Sequence, residues 1–71
     1  MGGDRMINEE IRKARIRNCL TQRRLGELMG YHGKSAETVV QNWEYGKQPV
    51  PVNKLRRLAR VLNTPLEKFI P

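Results

Sequence analysis

The apolar residues of this chain fall into five short groups, each ended by an asparagine, a glycine or the final proline. Within a group, the spacing is that of one face of an α-helix. Ile7, Ile11 and Ala14, for example, recur at intervals of four and three residues. No stretch of the sequence alternates apolar and polar residues, as a half-buried strand would. The pattern predicts a compact, all-α fold of five short helices.

The first two helices are predicted over residues 8–18 and 22–29. Thr21 suits the N-cap of the second helix, because a threonine hydroxyl can accept from an unpaired N–H of the first turn. Gly30 suits its C-terminal end, because glycine readily adopts the left-handed conformation that ends many helices. Residues 31–35 are polar and contain a further glycine, so they are predicted to form a loop.

The third helix is expected to begin at a cap on Ser35 or Ala36 and to end at Gly46. Two prolines in residues 47–51 disfavour helix in that segment. The fourth helix is therefore expected to begin within residues 51–53.

The fourth helix is predicted to end at Asn63, and a short fifth helix to follow it. Thr64, Pro65 and Glu67 stand at the N-cap, first and third positions of the fifth helix, which is the pattern of a capping box. The predicted apolar face of this helix consists of Leu66, Phe69 and Ile70.

Composition limits the classes of function. Lys and Arg number 14 and Asp and Glu number 7, so the formal charge of +7 predicts an anionic partner. Cys19 is the only cysteine, which excludes a disulfide framework. No apolar run approaches the ~20 residues of a membrane span, and residues 1–10 lack the apolar core of a secretory signal. We expect a cytoplasmic protein with a flexible tail over residues 1–6 and one domain over residues 7–71.

The basic residues are segregated from the acidic ones. No acidic residue lies between Ile11 and Gly26, and none lies between Tyr45 and Leu66, although both segments are rich in Arg and Lys. This distribution suits a positive surface that binds phosphate groups. It suits equally a set of solvated helix faces.

Four sequence segments resemble, in order and spacing, the Cro/C1-type (XRE, lambda-repressor-like) DNA-binding domain. They are IRKAR at 11–15, LTQxxLGxxMG at 20–30, VxxWExGK at 40–47 and LxxLAxxL at 55–62. The resemblance covers residues 7–70 and implies a five-helix domain whose second and third helices form a helix-turn-helix. It also implies that the third helix enters the major groove of double-stranded DNA.

The chain departs from the family pattern at three places. Gly26 stands where the family usually has alanine, and Cys19 stands where it usually has glycine. The turn over residues 31–35 is longer than the family's turn of about three residues. Because glycine has no side chain, Gly26 allows another helix to approach closely. Glycine in a helix interior costs roughly 1 kcal/mol relative to alanine.

Polar residues on the third helix are the candidates for reading bases. Glu37, Thr38 and Asn42 match base-contacting positions of the family, and Gln41 lies beside them off the apolar face. Asparagine can pair with adenine, glutamate can accept from cytosine N4, and threonine can do either. The alternative is an ordinary polar face of an amphipathic helix.

Phosphate contacts are expected from side chains around the two central helices. The resemblance implies a phosphate contact for Gln22. Arg23 and Arg24 oppose the dipole of the second helix, and such a departure from a local rule points to function; alternatively, both side chains swing away. The remaining candidates are Lys34, Lys47, Gln48 and Lys54.

Other residues are interpreted as structural. The family pairs the positions of Arg15 and Glu44 in a partly buried salt bridge, and Trp43 is expected in the core. Cys19 and His32 are too few for a zinc site or for a nucleophile with its base and orienting group, so no enzyme activity and no cofactor are predicted. His32 remains a candidate for touching DNA.

The sequence thus predicts a sequence-specific, double-stranded DNA-binding transcriptional regulator of the phage-type or bacterial repressor kind. It would bind a near-palindromic operator as a homodimer. The predicted dimer contact lies between the fourth and fifth helices and includes Phe69, Ile70 and Pro71. The alternative is an antitoxin that binds both a toxin protein and its own promoter. RNA binding and membrane binding are disfavoured, because exposed aromatic residues are few and the helices use their apolar faces for the core.

Overall fold

Every regular element within the described residues is helical. The computed structural model describes the backbone of residues 3–70 and the side chains of residues 7–70. The α-helices are α1 (Gly3–Arg17), α2 (Gln22–Leu28), α3 (Lys34–Tyr45) and α4 (Leu55–Val61). Short 3-10 turns over Val52–Lys54 and Leu66–Phe69 precede and follow α4. Within this range there is no strand, so the predicted all-α class is confirmed.

The predicted fifth helix is a single 3-10 turn, so the expected number of five helices was wrong. The Thr64 hydroxyl does not cap this segment. It donates to the carbonyl of Leu62 at 2.9 Å and accepts from Nη2 of Arg17 at 3.3 Å. The predicted capping box between Thr64 and Glu67 is therefore absent, because a partner on α1 engages the capping hydroxyl.

The beginning of α3 also differs from the prediction. Gly33, and not Ser35 or Ala36, is the N-cap residue, with φ +61° and ψ −141°. This backbone conformation is accessible to glycine and strongly disfavoured for other residues. The glycine turns the chain into the helix, and its carbonyl accepts from the N–H of Ala36 at 3.1 Å.

The first helix begins earlier than predicted. Helix α1 begins at Gly3, well before residue 8. The proposed boundary between a tail over residues 1–6 and a domain over residues 7–71 stays a prediction, and Met1, Gly2 and Pro71 lie outside the described residues. At the other predicted boundaries, Thr21 Oγ1 accepts from the N–H of Arg24 at 3.0 Å, and Gly30 and Gly46 end α2 and α3 with positive φ.

The core is built from one apolar side of each helix and from the last turn. Trp43 of α3 is its largest buried side chain, and Phe69 anchors the C-terminal turn. Ile70, by contrast, is 50% exposed. The other buried apolar residues are Ile11, Ala14, Leu25, Met29, Ala36, Val40, Leu58, Ala59 and Leu62.

Helix α2 lies directly against the backbone of α3. A Cβ atom added to Gly26 would stand 2.1 Å from the carbonyl oxygen of Ala36, a distance that no real contact reaches. Alanine, the usual family residue, does not fit here without a shift of one helix. Gly26 therefore permits an approach of α2 to the backbone of α3 that a side chain at this position would block.

The turn after α1 joins two helix ends. Nδ2 of Asn18 donates to the carbonyl of Ala14 at 2.7 Å and to the carbonyl of Leu62 at 2.8 Å, which connects the C-terminal ends of α1 and α4. The next residue, Cys19, is exposed and has φ +58°. Asn63 adopts the equivalent conformation after α4, with φ +52°. None of the described helices is long and apolar enough to cross a membrane.

Replacement of Gly26 by alanine is expected to destabilise the protein. Helix propensity alone favours alanine by about 1 kcal/mol. Displacing α2 from α3 should outweigh this gain and lower the free energy of unfolding by about 2 kcal/mol, the scale of overpacking in a core. The melting temperature, followed by circular dichroism, should fall by roughly 10 °C. A higher melting temperature would show that the two helices separate at little cost.

Replacement of Cys19 by glycine is expected to stabilise the protein. A left-handed conformation costs an ordinary residue about 1–2 kcal/mol, and the greater freedom of glycine in the unfolded chain offsets part of this gain. The free energy of unfolding in urea should rise by about 0.5 kcal/mol. Asn63→Gly is the matched control and should change it less, because asparagine tolerates this conformation better. An equal gain at both positions would contradict this explanation.

Candidate nucleic-acid interface

Helices α2 and α3 form a helix-turn-helix. Residues 29–33 connect them, and Tyr31 fastens this long turn to the core. The half-buried ring of Tyr31 packs edge-on against Trp43, with the ring centroids 6.0 Å apart and an interplanar angle of 73°. The turn thus contributes an aromatic ring, Tyr31, that packs against Trp43 of α3.

The outer side of α3 carries all four predicted base-reading residues. Ala36, Val40 and Trp43 bury the opposite side of the helix. Helical geometry arranges the outer residues in two rows, because positions four apart are neighbours. The first row pairs residue 37 with residue 41, and the second row pairs residue 38 with residue 42.

The first row faces α2 through hydrogen bonds. Nε2 of Gln41 donates to Oε1 of Gln22 at 3.2 Å and to Oε2 of Glu37 at 3.5 Å. Nε2 of Gln22 in turn donates to Oε1 of Glu44 at 3.2 Å. Two predicted base readers and one predicted phosphate contact are therefore linked to each other.

The chain of hydrogen bonds ends at an ion pair between α1 and α3. Nε of Arg15 lies 2.6 Å from Oε2 of Glu44, and Nη2 lies 3.3 Å from Oε1. A third N–H of the guanidinium donates to the carbonyl of Leu20 at 2.9 Å. The side chains are 13% and 2% exposed, so water screens the pair little. We call Arg15, Glu44, Gln22, Gln41 and Glu37, in this order of contact, the polar ladder.

Sequence reasoning missed the polar ladder as a unit. Arg15 and Glu44 were paired by the family resemblance alone, and Gln22 was assigned only to phosphate. One available signal was the spacing of Gln41 and Glu44, which places both on adjacent turns of one helix side. The partner side chain on α2 lies 19 residues away from Gln41 in sequence, beyond the reach of any local pattern.

The second row lines a shallow cleft on the other flank of α3. Thr38 and Asn42 share this cleft of about 480 Å³ with two predicted phosphate contacts, Lys34 and Gln48. The lining is completed by Tyr31 of the turn and by Ser35 and Val39 of α3. Thr38 is exposed and Asn42 is half-buried. The fold thus brings together candidates for base contact and for phosphate contact on this flank.

The two arginines of α2 turn toward one acid. Nε of Arg23 lies 3.5 Å from Glu27 Oε2, and Nη1 of Arg24 lies 3.4 Å from Glu27 Oε1. The arginine side chains are 64% and 60% exposed, and such surface pairs contribute little to stability. Both cations are consequently available to an anion at the surface.

The structure separates the remaining candidates. Lys47 is exposed in the loop that follows α3. Nζ of Lys54 lies 4.9 Å from the centroid of the Tyr31 ring, a cation–π contact that supports the turn. Cys19 and His32 are exposed in different turns, and the described part of the chain holds no group of three or more residues suited to a metal ion.

Comparison with known proteins agrees with this geometry. A family model described as helix-turn-helix matches residues 11–69, a segment that runs from within α1 to the last 3-10 turn. Searches of the curated proteins and of the solved structures found no significant match. Because the family model covers most of the chain and includes the whole of α2 and α3, the protein belongs to the Cro/C1-type (XRE) helix-turn-helix family of DNA-binding regulatory domains.

Proposed function

We propose that this DNA-binding transcription regulator is a sequence-specific repressor that binds a near-palindromic operator as a homodimer. In this proposal α3 lies in the major groove, and the protein acts in the cytoplasm, where it meets its operator. The observation that carries the proposal is the outer side of α3. Polar side chains cover that side while Ala36, Val40 and Trp43 fill the core behind it.

Base reading is assigned to the two rows of α3. Glu37 and Gln41 form one row, and Thr38 and Asn42 form the other. The amide of Asn42 carries both a donor and an acceptor, which suits the N6 and N7 edge of adenine. Thr38 is exposed beside it and can donate or accept through one hydroxyl. These groups would specify sequence, while other contacts position the domain.

Phosphate binding is assigned to exposed cations and amides beside α3. Arg23 and Arg24 precede it on α2, Lys34 lies in its first turn, and Lys47 and Gln48 follow it in the loop. Each cation that meets a phosphate releases counterions from DNA and strengthens binding in a salt-dependent way. Gln22 is assigned a phosphate contact through the second N–H of its side-chain amide, since the first donates to Glu44. Lys54 is the weakest of the candidates, because its ammonium already contacts Tyr31.

Dimer formation is assigned to the end of the domain near α4. Val52 is 85% exposed and Ile70 is 50% exposed, and both line one cleft with Leu55 and Leu66. Phe69 is buried in the core of its own chain, so its expected place in the dimer contact was wrong. A second copy covering the cleft would remove these apolar side chains from water. Two recognition helices could then read two half-sites.

The antitoxin alternative requires a surface for a second protein. The exposed large apolar residues of the described region lie on separate elements, with Ile16 on α1 and Tyr45 on α3. Only Val52 and Ile70 share a cleft, and the present proposal assigns that cleft to a second copy of the chain. We therefore favour the repressor over the antitoxin.

Substitutions of a base-reading residue and of a phosphate-binding residue are expected to have different effects on DNA binding. Sequences bound from a randomised duplex pool at about 150 mM salt should share a dyad-symmetric motif, because phosphate contacts alone bind weakly at that salt concentration. Asn42→Ala should lower affinity for this motif by about tenfold and relax one position, since a bidentate base contact contributes about 1–3 kcal/mol. Arg23→Ala should weaken binding to all sequences. It should also reduce the salt slope, which is the slope of log affinity against log salt concentration, by about one in magnitude. Affinities over a salt series measure both effects.

Arg60→Ala is the matched control for the loss of a cation. Arg60 is exposed on α4, beside Asn63 and Pro65 and apart from the helix-turn-helix. Its removal should leave the salt slope nearly unchanged. Recovery of random sequence by the wild-type protein would refute sequence-specific binding. Equal effects of Arg23→Ala and Arg60→Ala would refute the assigned phosphate surface.

A charge placed in the proposed dimer contact should abolish cooperative binding. Val52→Glu would place a carboxylate in an apolar contact between two copies, and removing this charge from water costs several kcal/mol. We expect the variant to occupy single half-sites, whereas the wild-type protein fills both half-sites together. Band shifts on full and half operators, with sedimentation of each complex, measure this. Ile16→Glu adds the same charge at another exposed apolar residue and should remain cooperative; cooperative binding by Val52→Glu would rule out this interface.

A further inference from the structure

The polar ladder has a fixed direction of hydrogen bonding. An ionised carboxylate only accepts hydrogen bonds, and both oxygens of Glu44 face donors of Arg15. Gln22 must therefore present its NH₂ group to Glu44, as it does at 3.2 Å. The carbonyl oxygen of Gln22 is then directed away from Glu44, toward Gln41.

The same reasoning fixes the next amide. Gln41 meets the carbonyl oxygen of Gln22 at 3.2 Å and a carboxylate oxygen of Glu37 at 3.5 Å, and both neighbours are acceptors. Its NH₂ group must lie between them. The group of Gln41 left for another partner is its carbonyl oxygen Oε1, so the row formed by Glu37 and Gln41 presents acceptors.

We propose that Glu44 and Gln22 are positioning residues that orient Gln41 so that its carbonyl oxygen reads an exocyclic amino group of a base. This inference rests on the proposed binding of α3 in the major groove. Adenine N6 and cytosine N4 are the amino groups exposed there, whereas guanine O6 and thymine O4 are acceptors. A row of acceptors therefore selects an adenine or a cytosine on the strand that it faces.

The ladder removes a choice that a free glutamine would have. An unconstrained amide can rotate and offer either its NH₂ group or its oxygen, so it can serve amino and keto bases alike. Rotation of Gln41 would set its oxygen against the acceptors of Gln22 and Glu37. In this proposal Glu44, whose side chain is 2% exposed, determines a base preference at the surface through Gln22 and Gln41.

The test measures base preference at the position that Gln41 contacts. Selection with the full chain and with Gln41→Ala locates this position, because its preference is lost in the variant. The wild-type protein should favour adenine and cytosine over guanine and thymine there by about fivefold, the low end of the range for one base contact. Gln22→Met removes the relay and keeps both donors of Arg15 to Glu44. It also removes one donor to Glu44 and the proposed phosphate contact of Gln22, so affinity for all sequences should fall as well. This variant should reduce the preference to less than about twofold.

Further variants distinguish orientation from general damage. Gln41→Glu retains an acceptor and removes the donor, so it should keep the preference for amino bases although its charge weakens binding to all sequences. Arg60→Met places the same methionine side chain outside the ladder and outside the proposed DNA surface, and it should keep the preference. Folding of each variant is checked by its thermal melt. Gln22→Leu removes the same two hydrogen bonds and serves if Gln22→Met fails to fold.

The outcomes separate this inference from the proposed function. The relay would be overturned if Gln22→Met kept the preference for adenine and cytosine, or if Gln41→Glu lost it. Either result would leave sequence-specific binding intact. A wild-type preference for guanine or thymine at the Gln41 position would overturn it as well. Random sequence from the wild-type protein would refute the proposed function, and the relay with it.

Discussion

The approach of Gly26 to the backbone of Ala36 determines how the helix-turn-helix is assembled. A side chain on Gly26 would overlap the carbonyl of Ala36, so this pair brings α2 closer to α3 than ordinary side-chain packing allows. Ala36 faces inward at that point, and each following residue rotates by about 100° around the helix. Residues 37 and 38 consequently face outward. The contact therefore lies on the side of α3 that Ala36, Val40 and Trp43 bury, and it leaves both polar rows outside.

One buried carboxylate serves both folding and recognition. Removing an ion from water costs several kcal/mol, and Glu44 recovers this through the guanidinium of Arg15 and the amide of Gln22. The acid is therefore held in a single arrangement. In the proposed relay that arrangement also decides which atom of Gln41 meets the DNA. A substitution chosen only to improve the packing of α1 on α3 would thus alter recognition.

Local chemistry made part of this fold predictable. Thr21 caps the beginning of α2 by accepting from the N–H of a residue three positions along the chain, and such a signal is contained in the sequence. The cap predicted at Thr64 was wrong because Arg17, 47 residues away, engages the same hydroxyl. The link from Gln22 to Gln41 likewise joins separate helices and has no periodic signature. The sequence therefore supplied candidate residues for the site, but not the contacts that orient them.

The two flanks of α3 differ in how much freedom their side chains keep. On the ladder side, Gln22 and Glu37 hold the amide of Gln41, and the direction of hydrogen bonding is set by charge. On the other flank, Thr38 and Asn42 line an open cleft beside the turn that Tyr31 secures. A hydroxyl and an amide outside the ladder can adapt to either donors or acceptors. The same helix therefore combines one row whose hydrogen-bonding groups are fixed before DNA binds with one row whose groups can still rotate to meet the base that they contact.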